Sequence, residues 1–191
     1  IEPFFIPKIL CNTVAGTIAQ QYQLMGPCHC TSTACATGLH CIGDGMRWIQ
    51  HGEADMVVCG ATEAAITPLG LAGFGRMKAL ATKYNDSDEE AKKASRPFDE
   101  NRCGFVMGEG RGCLVLEDRE KALERGLKES DFLCELRGYG MAGDAYHVSS
   151  PHPEGYGAGR AMRNAMDDFV RNSINNNNNN QDEKAAEKKK H

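Results

Sequence analysis

The run Met56-Val57-Val58-Cys59 constrains this chain most. Four apolar residues are too few for a helix, and two of them are β-branched. No polar position alternates with them, so the pattern predicts a strand buried on both faces. Strands of that kind form the centre of parallel sheets whose two faces are covered by helices.

The flanking segments supply candidate helices. Ile42, Met46 and Ile49 recur at helical spacing and predict a helix from Cys35 to about His51. Residues Ile1 to Pro27 read as a helix ending near Gly26-Pro27, and Pro68 to Arg76 as a short helix. Asp118 to Arg125 reads as a charged helix stopped by Gly126, and Gly157 to Phe169 as another. His29 to Ala34, Gly112 to Glu117 and Phe132 to Tyr139 read as strands, and the polar stretch from Ala81 to Ser95 as an exposed loop. Strands and helices alternate, so the class is α/β.

Composition narrows the function. The net charge of −4 argues against a general nucleic-acid binder. No apolar run approaches the length of a membrane span. The nine cysteines are odd in number and scattered singly through apolar stretches, which suits small core residues in a reducing compartment rather than a disulfide framework. Cys28-His29-Cys30 near Cys35 has no CxxC pair and no second ligand pair, so no metal site is expected. Gly108-Glu109-Gly110-Arg111-Gly112 precedes a strand and not a helix, so it is a poor phosphate cradle, and no cofactor is expected.

Thr33-Ala34-Cys35-Ala36-Thr37-Gly38 carries the chemistry. Unpaired N–H groups and a partial positive charge at a helix start favour a thiolate over a thiol. Small neighbours let an acyl group approach the sulfur. A small packing cysteine is the alternative at such a junction.

Further motifs follow in order. After Cys35 come His40, Ile42-Gly43-Asp44 and the run from Ala54 to Ala64. Phe74-Gly75, Ala94-Ser95-Arg96-Pro97-Phe98-Asp99 and Gly104-Phe105-Val106-Met107-Gly108-Glu109-Gly110 come next, then Asp144-Ala145-Tyr146-His147. This ordered set, from about Phe4 to about Met166, resembles the chain-elongating β-ketoacyl-acyl carrier protein synthases, the condensing enzymes of fatty acid synthesis. The resemblance implies an α/β, thiolase-like fold of layered αβαβα type, present incompletely as most of the first half and the start of the second. It divides the chain into residues 1–117 (part of the N-terminal half), 118–170 (the start of the C-terminal half) and an Asn- and Lys-rich tail, 171–191, expected to be disordered.

The resemblance assigns the acyl-accepting nucleophile to Cys35 and substrate contacts to Ser149, Phe74, Phe5 and Lys78. Ser149 matches a hydroxyl that contacts pantetheine, and Phe74 a residue near the acyl pocket. Phe5 matches a position reaching the partner subunit's pocket, and Lys78 a basic residue that meets the acidic carrier protein. The implied partners are acyl carrier protein and, for the full-length family, a second copy in a homodimer. No cofactor, nucleic acid or membrane span is implied.

The family draws two histidines and a lysine from its C-terminal half, with the histidines in His-Gly-Thr and Gly-His contexts that do not occur in this sequence. An incomplete copy, inactive alone, is therefore expected. A non-catalytic fragment that binds carrier protein or another subunit, and a fragment of a polyketide ketosynthase, are the alternatives. His147 is expected to be structural or to line the entrance, His29 to pack and His152 to lie in an exposed loop. Cys103 stands where the family usually has aspartate, and Gly60-Ala61-Thr62-Glu63 departs from Gly-Gly-Ala-Glu. The compartment stays open among cytosol, mitochondrion and plastid, with the mitochondrion favoured.

Overall fold

The computed structural model describes the backbone of residues 2–188 and the side chains of residues 2–173. The helices are α1 (Phe5–Ile9), α2 (Thr13–Tyr22), α3 (Thr37–Gln50), α4 (Pro68–Arg76), α5 (Asp88–Ala91), α6 (Arg119–Glu124) and α7 (Tyr156–Lys188). Two strands, β1 (Met56–Ala64) and β2 (Glu109–Glu117), form one two-stranded sheet. The chain divides into two compact units. One comprises Ile1–His29, Ile42–Val57 and Leu116–His191, and the other Cys30–Cys41 and Val58–Val115.

The helix signals act as their chemistry requires. α4 opens with the Thr67 hydroxyl oxygen accepting the Gly70 N–H at 3.1 Å and with Pro68 at its first position. α6 opens with the Asp118 carboxylate accepting the Lys121 N–H at 3.0 Å, and Gly126 follows it at φ +102°. The segment expected as one helix before Pro27 is two, α1 and α2. The chain leaves α2 through Gln23, in the left-handed region at φ 56°.

The central strand differs from its expectation. Asp118 donates its N–H to the Asp55 carbonyl at 2.9 Å, and a side chain placed on Gly60 would meet the Gly112 carbonyl and Cys113. As β1 advances, its neighbour on β2 recedes, so the pair is antiparallel. β1 also extends past Cys59 to Ala64, and Cys59 is its one buried residue. An apolar run therefore fixed the strand but neither its burial nor its direction.

Two other expected strands are not formed. Residues 29–34 run irregularly into a 3-10 turn, Ala34–Ala36, with no strand beside them to share a ladder among the described residues. The segment from Phe132 to Tyr139 holds no strand either. Its end runs against α7 instead. Side chains built on Gly138 and Gly140 would meet α7 backbone at Ala165, and at Ala161 and Ala165. Tyr139 donates its N–H to the Asp168 carboxylate at 3.0 Å, and the Asn164 amide donates to the Met141 carbonyl at 3.1 Å.

The loop from Ala81 to Ser95 contains α5, whose Ser87 hydroxyl oxygen accepts the Glu90 N–H at 3.3 Å. Residues 171–188, expected as a disordered tail, continue α7 to Lys188, and residues 189–191 lie outside the described residues. No glycine or proline follows Gly159, so nothing in the sequence interrupts the helical hydrogen bonding.

Candidate functional site

Cys35 lies in the 3-10 turn that leads directly into α3. Its thiol is free and exposed. The turn begins with Ala34 at φ 50°, a left-handed conformation uncommon for a residue with a Cβ. Ala36 donates its N–H to the Thr33 carbonyl at 3.1 Å. Thr37 donates both its N–H and its hydroxyl to the Ala34 carbonyl, the hydroxyl at 2.7 Å. Thr33 donates its N–H to the Thr37 hydroxyl oxygen at 2.8 Å, and its own hydroxyl lies 2.7 Å from His40 Nδ1. Small residues allow the backbone to turn this tightly, and the turn leaves the sulfur facing outward.

Of the proposed contact residues, Phe74 and Lys78 fall in the same unit as Cys35, and Phe5 and Ser149 fall in the other. Phe74 packs edge-on against Phe105 at 5.2 Å between ring centroids. Phe74 also lines a cavity of about 450 Å³ together with Leu69 and Met77. Lys78 is exposed, at φ 56° just beyond α4. Phe5 is exposed on α1. Ser149 is exposed, and its N–H points to His147 Nδ1 at 3.2 Å.

His147, His29 and His152 each make contacts within the chain. His147 Nδ1 accepts the N–H groups of Ser149 and Ser150, each at 3.2 Å. His29 packs edge-on against Trp48 at 4.7 Å and sits 3.4 Å from the Asp44 carboxylate. His152 is not a free loop residue. It is ring-packed with Tyr146 and Tyr156 at 4.8 and 4.5 Å, and its N–H donates to Asp144 at 3.0 Å.

Cys103 occupies a donor-rich place. The backbone N–H of Lys83 is the main influence holding its thiol below the ordinary thiol range; the Thr82 N–H and the Lys83 and Arg96 charges add to it, against desolvation. Those donors favour a negatively charged group at this place. A cavity of about 850 Å³ is lined by Arg96, Phe98, Arg102 and Phe105, among others, and contains none of the residues proposed from sequence. Sequence reasoning also missed the Thr33–Thr37–His40 network. The Thr-x-x-x-Thr spacing across the cysteine was the available signal. Among the described residues, no three acidic, histidine or cysteine side chains are placed to hold a metal, and no helix is long and apolar enough to cross a membrane.

Residues 1–122 match the family described as β-ketoacyl synthase, N-terminal domain. The chain belongs to the β-ketoacyl synthase family. It is 52% identical over 166 residues to a mitochondrial 3-oxoacyl-[acyl-carrier-protein] synthase of Arabidopsis thaliana, with 87% of this chain and 35% of the relative covered. It is 49% identical over 166 residues to 3-oxoacyl-[acyl-carrier-protein] synthase 2 of Rhizobium meliloti (strain 1021), covering 87% of this chain and 38% of that one. It therefore spans well under half the length of these relatives.

Solved structures agree on the fold. A type II PKS ketosynthase, bound to a hexaketide and in complex with its acyl-carrier protein, superposes with a TM-score of 0.82 at 31% identity, covering 89% of this chain and 40% of the other. A β-ketoacyl synthase from Burkholderia phymatum STM815 gives a TM-score of 0.72 at 31% identity, covering 83% and 36%. The fold is thiolase-like α/β, spanning part of a ketosynthase.

Proposed function

We propose that this chain is the cysteine-bearing part of a 3-oxoacyl-[acyl-carrier-protein] synthase of fatty acid biosynthesis. The observation that carries the reading is Cys35, exposed in the turn that opens α3. The Cys35 thiolate attacks the thioester carbonyl of an acyl carrier protein. The carbonyl oxygen becomes an oxyanion, for which the Cys35 N–H is half of the stabilising pair. Collapse transfers the acyl group to sulfur, and the carrier's pantetheine leaves as the thiolate, which takes a proton from water. In the whole enzyme, a malonyl group then loses carbon dioxide, and its carbanion attacks the acyl-cysteine to give a product two carbons longer.

Ser149, Phe74, Phe5 and Lys78 keep their proposed contacts to pantetheine, acyl chain, partner pocket and carrier protein. The cavity lined by Phe74, Leu69 and Met77 is apolar, which suits an acyl chain. We place the division between the two halves near residue 118 and the homodimer with the full-length enzyme. Identity near 50% to 3-oxoacyl-[acyl-carrier-protein] synthases favours the fatty acid reading.

The test is incubation with acyl-carrier protein followed by intact-mass and peptide mass spectrometry. An acyl adduct on Cys35, absent in Cys35→Ser, is expected. No 3-oxoacyl product is expected from these 191 residues when malonyl-carrier protein is added, because the family's His-Gly-Thr and Gly-His contexts do not occur among them. Failure of any adduct to form on Cys35 would sink the acyl-transfer reading.

A further inference from the structure

Three side chains hold the turn that presents Cys35, and none of them is the nucleophile. Ala34 sits at φ 50°, where a Cβ is disfavoured, so something must keep it there. The Thr33 N–H reaches forward four residues to the Thr37 hydroxyl oxygen at 2.8 Å. The Thr37 hydroxyl donates to the Ala34 carbonyl at 2.7 Å. One helical turn further on, His40 Nδ1 meets the Thr33 hydroxyl at 2.7 Å. The Thr37 hydroxyl has a single hydrogen, spent on Ala34. The Thr33 hydroxyl lies 3.5 Å from Thr37 Oγ1, so His40 is its closer partner. The Thr33 hydroxyl and His40 Nδ1 can share one hydrogen, the hydroxyl donating where Nδ1 carries none. The result is a closed bracket around Cys35, tied at Thr33 on one side and at Thr37 and His40 on the other.

We propose that Thr33 and His40 are positioning residues for Cys35, locking the strained turn so that the sulfur stays at the mouth of α3. This rests on the acyl-cysteine reading, and it assigns His40 a role distinct from that of a general base. Without the bracket, Ala34 relaxes toward negative φ, and the sulfur leaves its exposed position in the turn that opens α3.

The experiment measures alkylation of each cysteine by iodoacetamide at near-neutral pH, resolved by peptide mass spectrometry. Thr33→Val and His40→Phe are expected to slow alkylation of Cys35 about tenfold, the scale of one lost hydrogen bond. Thr33→Ser and His40→Asn restore a hydroxyl donor and an amide partner, and they are expected to stay within about twofold of the parent. Exposed Cys134 should react as before in every variant, and buried Cys59 should stay protected. Unchanged Cys35 rates in both disruptive variants would overturn the proposal. So would a fall at Cys35 matched at Cys134 or accompanied by labelling of Cys59, since that marks general loss of structure. Acyl loading from acyl-carrier protein separates the two readings. If the parent never loads while the alkylation pattern holds, acyl transfer fails and the bracket stands. If the parent and Thr33→Val load at equal rates, the bracket fails.

Discussion

At the residue scale, Asp99 shows how neighbours fix a charge. Its carboxylate accepts the Asn101 N–H at 2.7 Å and an Arg96 guanidinium N–H at 3.1 Å. Arg96 is held in turn by the Tyr84 hydroxyl at 2.6 Å and stacks over the Tyr84 ring at 5.1 Å. The Asn101 N–H, and after it the Arg96 charge, hold the Asp99 carboxyl below the ordinary carboxylate range. A carboxyl whose folded value lies below its unfolded value stabilises the fold above the unfolded value, about 3.9. That contribution is lost as pH falls through the lower folded value. The urea midpoint should therefore drop as pH falls below about 4, and Asp99→Asn should flatten that drop. An equal drop in Asp99→Asn would remove Asp99 from the account. The motif Ser95-Arg96-Pro97-Phe98-Asp99 was legible as a family signature, but its pairing with Tyr84, twelve residues earlier, was not. Contacts across a loop leave no periodicity in the sequence.

At the element scale, close backbone approach decides what the segment before α7 becomes. Gly140 lies where any Cβ would strike the Ala161 carbonyl and the Ala165 N–H, and backbone cannot give way as a flexible side-chain end can. Gly140→Ala is expected to destabilise the chain by about 1–3 kcal/mol, read as a lower urea midpoint with faster amide exchange through the first turns of α7. Gly143→Ala is the control. Nothing lies within 4 Å of a Cβ there, and the change should stay within about 0.5 kcal/mol. Elements whose signals are local were legible: α4 from Thr67-Pro68, α6 from Asp118 and Gly126, and most of α3 from its apolar repeat. The stretch from Phe132 to Tyr139 was not. Its apolar residues fit a strand equally well, and only contact with α7 shows that Gly138 and Gly140 serve helix packing. Residues 29–34 failed as a strand for a related reason, since a ladder needs a neighbour and a single segment cannot show whether it has one. Cys35 is therefore presented by the turn at Ala34–Ala36 and not by a strand.

At the scale of the whole molecule, apolar side chains stand in solvent to a degree that single scattered residues do not explain. Met25, Leu69, Phe98, Leu133 and Val148 are each largely or fully exposed, while among the described residues Met46, Cys59, Ala94 and Ala122 are the buried apolar ones. Leaving one large apolar side chain in water forgoes about 1.5–3 kcal/mol relative to burying it. A net charge of −4 supplies only modest repulsion between copies. For this chain by itself, burial between copies removes that surface from water. The chain in isolation is expected to bind an apolar fluorescent dye strongly and to show a sedimentation coefficient that rises with protein concentration. Because the driving force is apolar, added salt should strengthen the association rather than weaken it. Leu133→Asp with Phe98→Ser should reduce both signals. A monodisperse monomer across the concentration range, with no dye response, would mean that these side chains find cover within the chain itself.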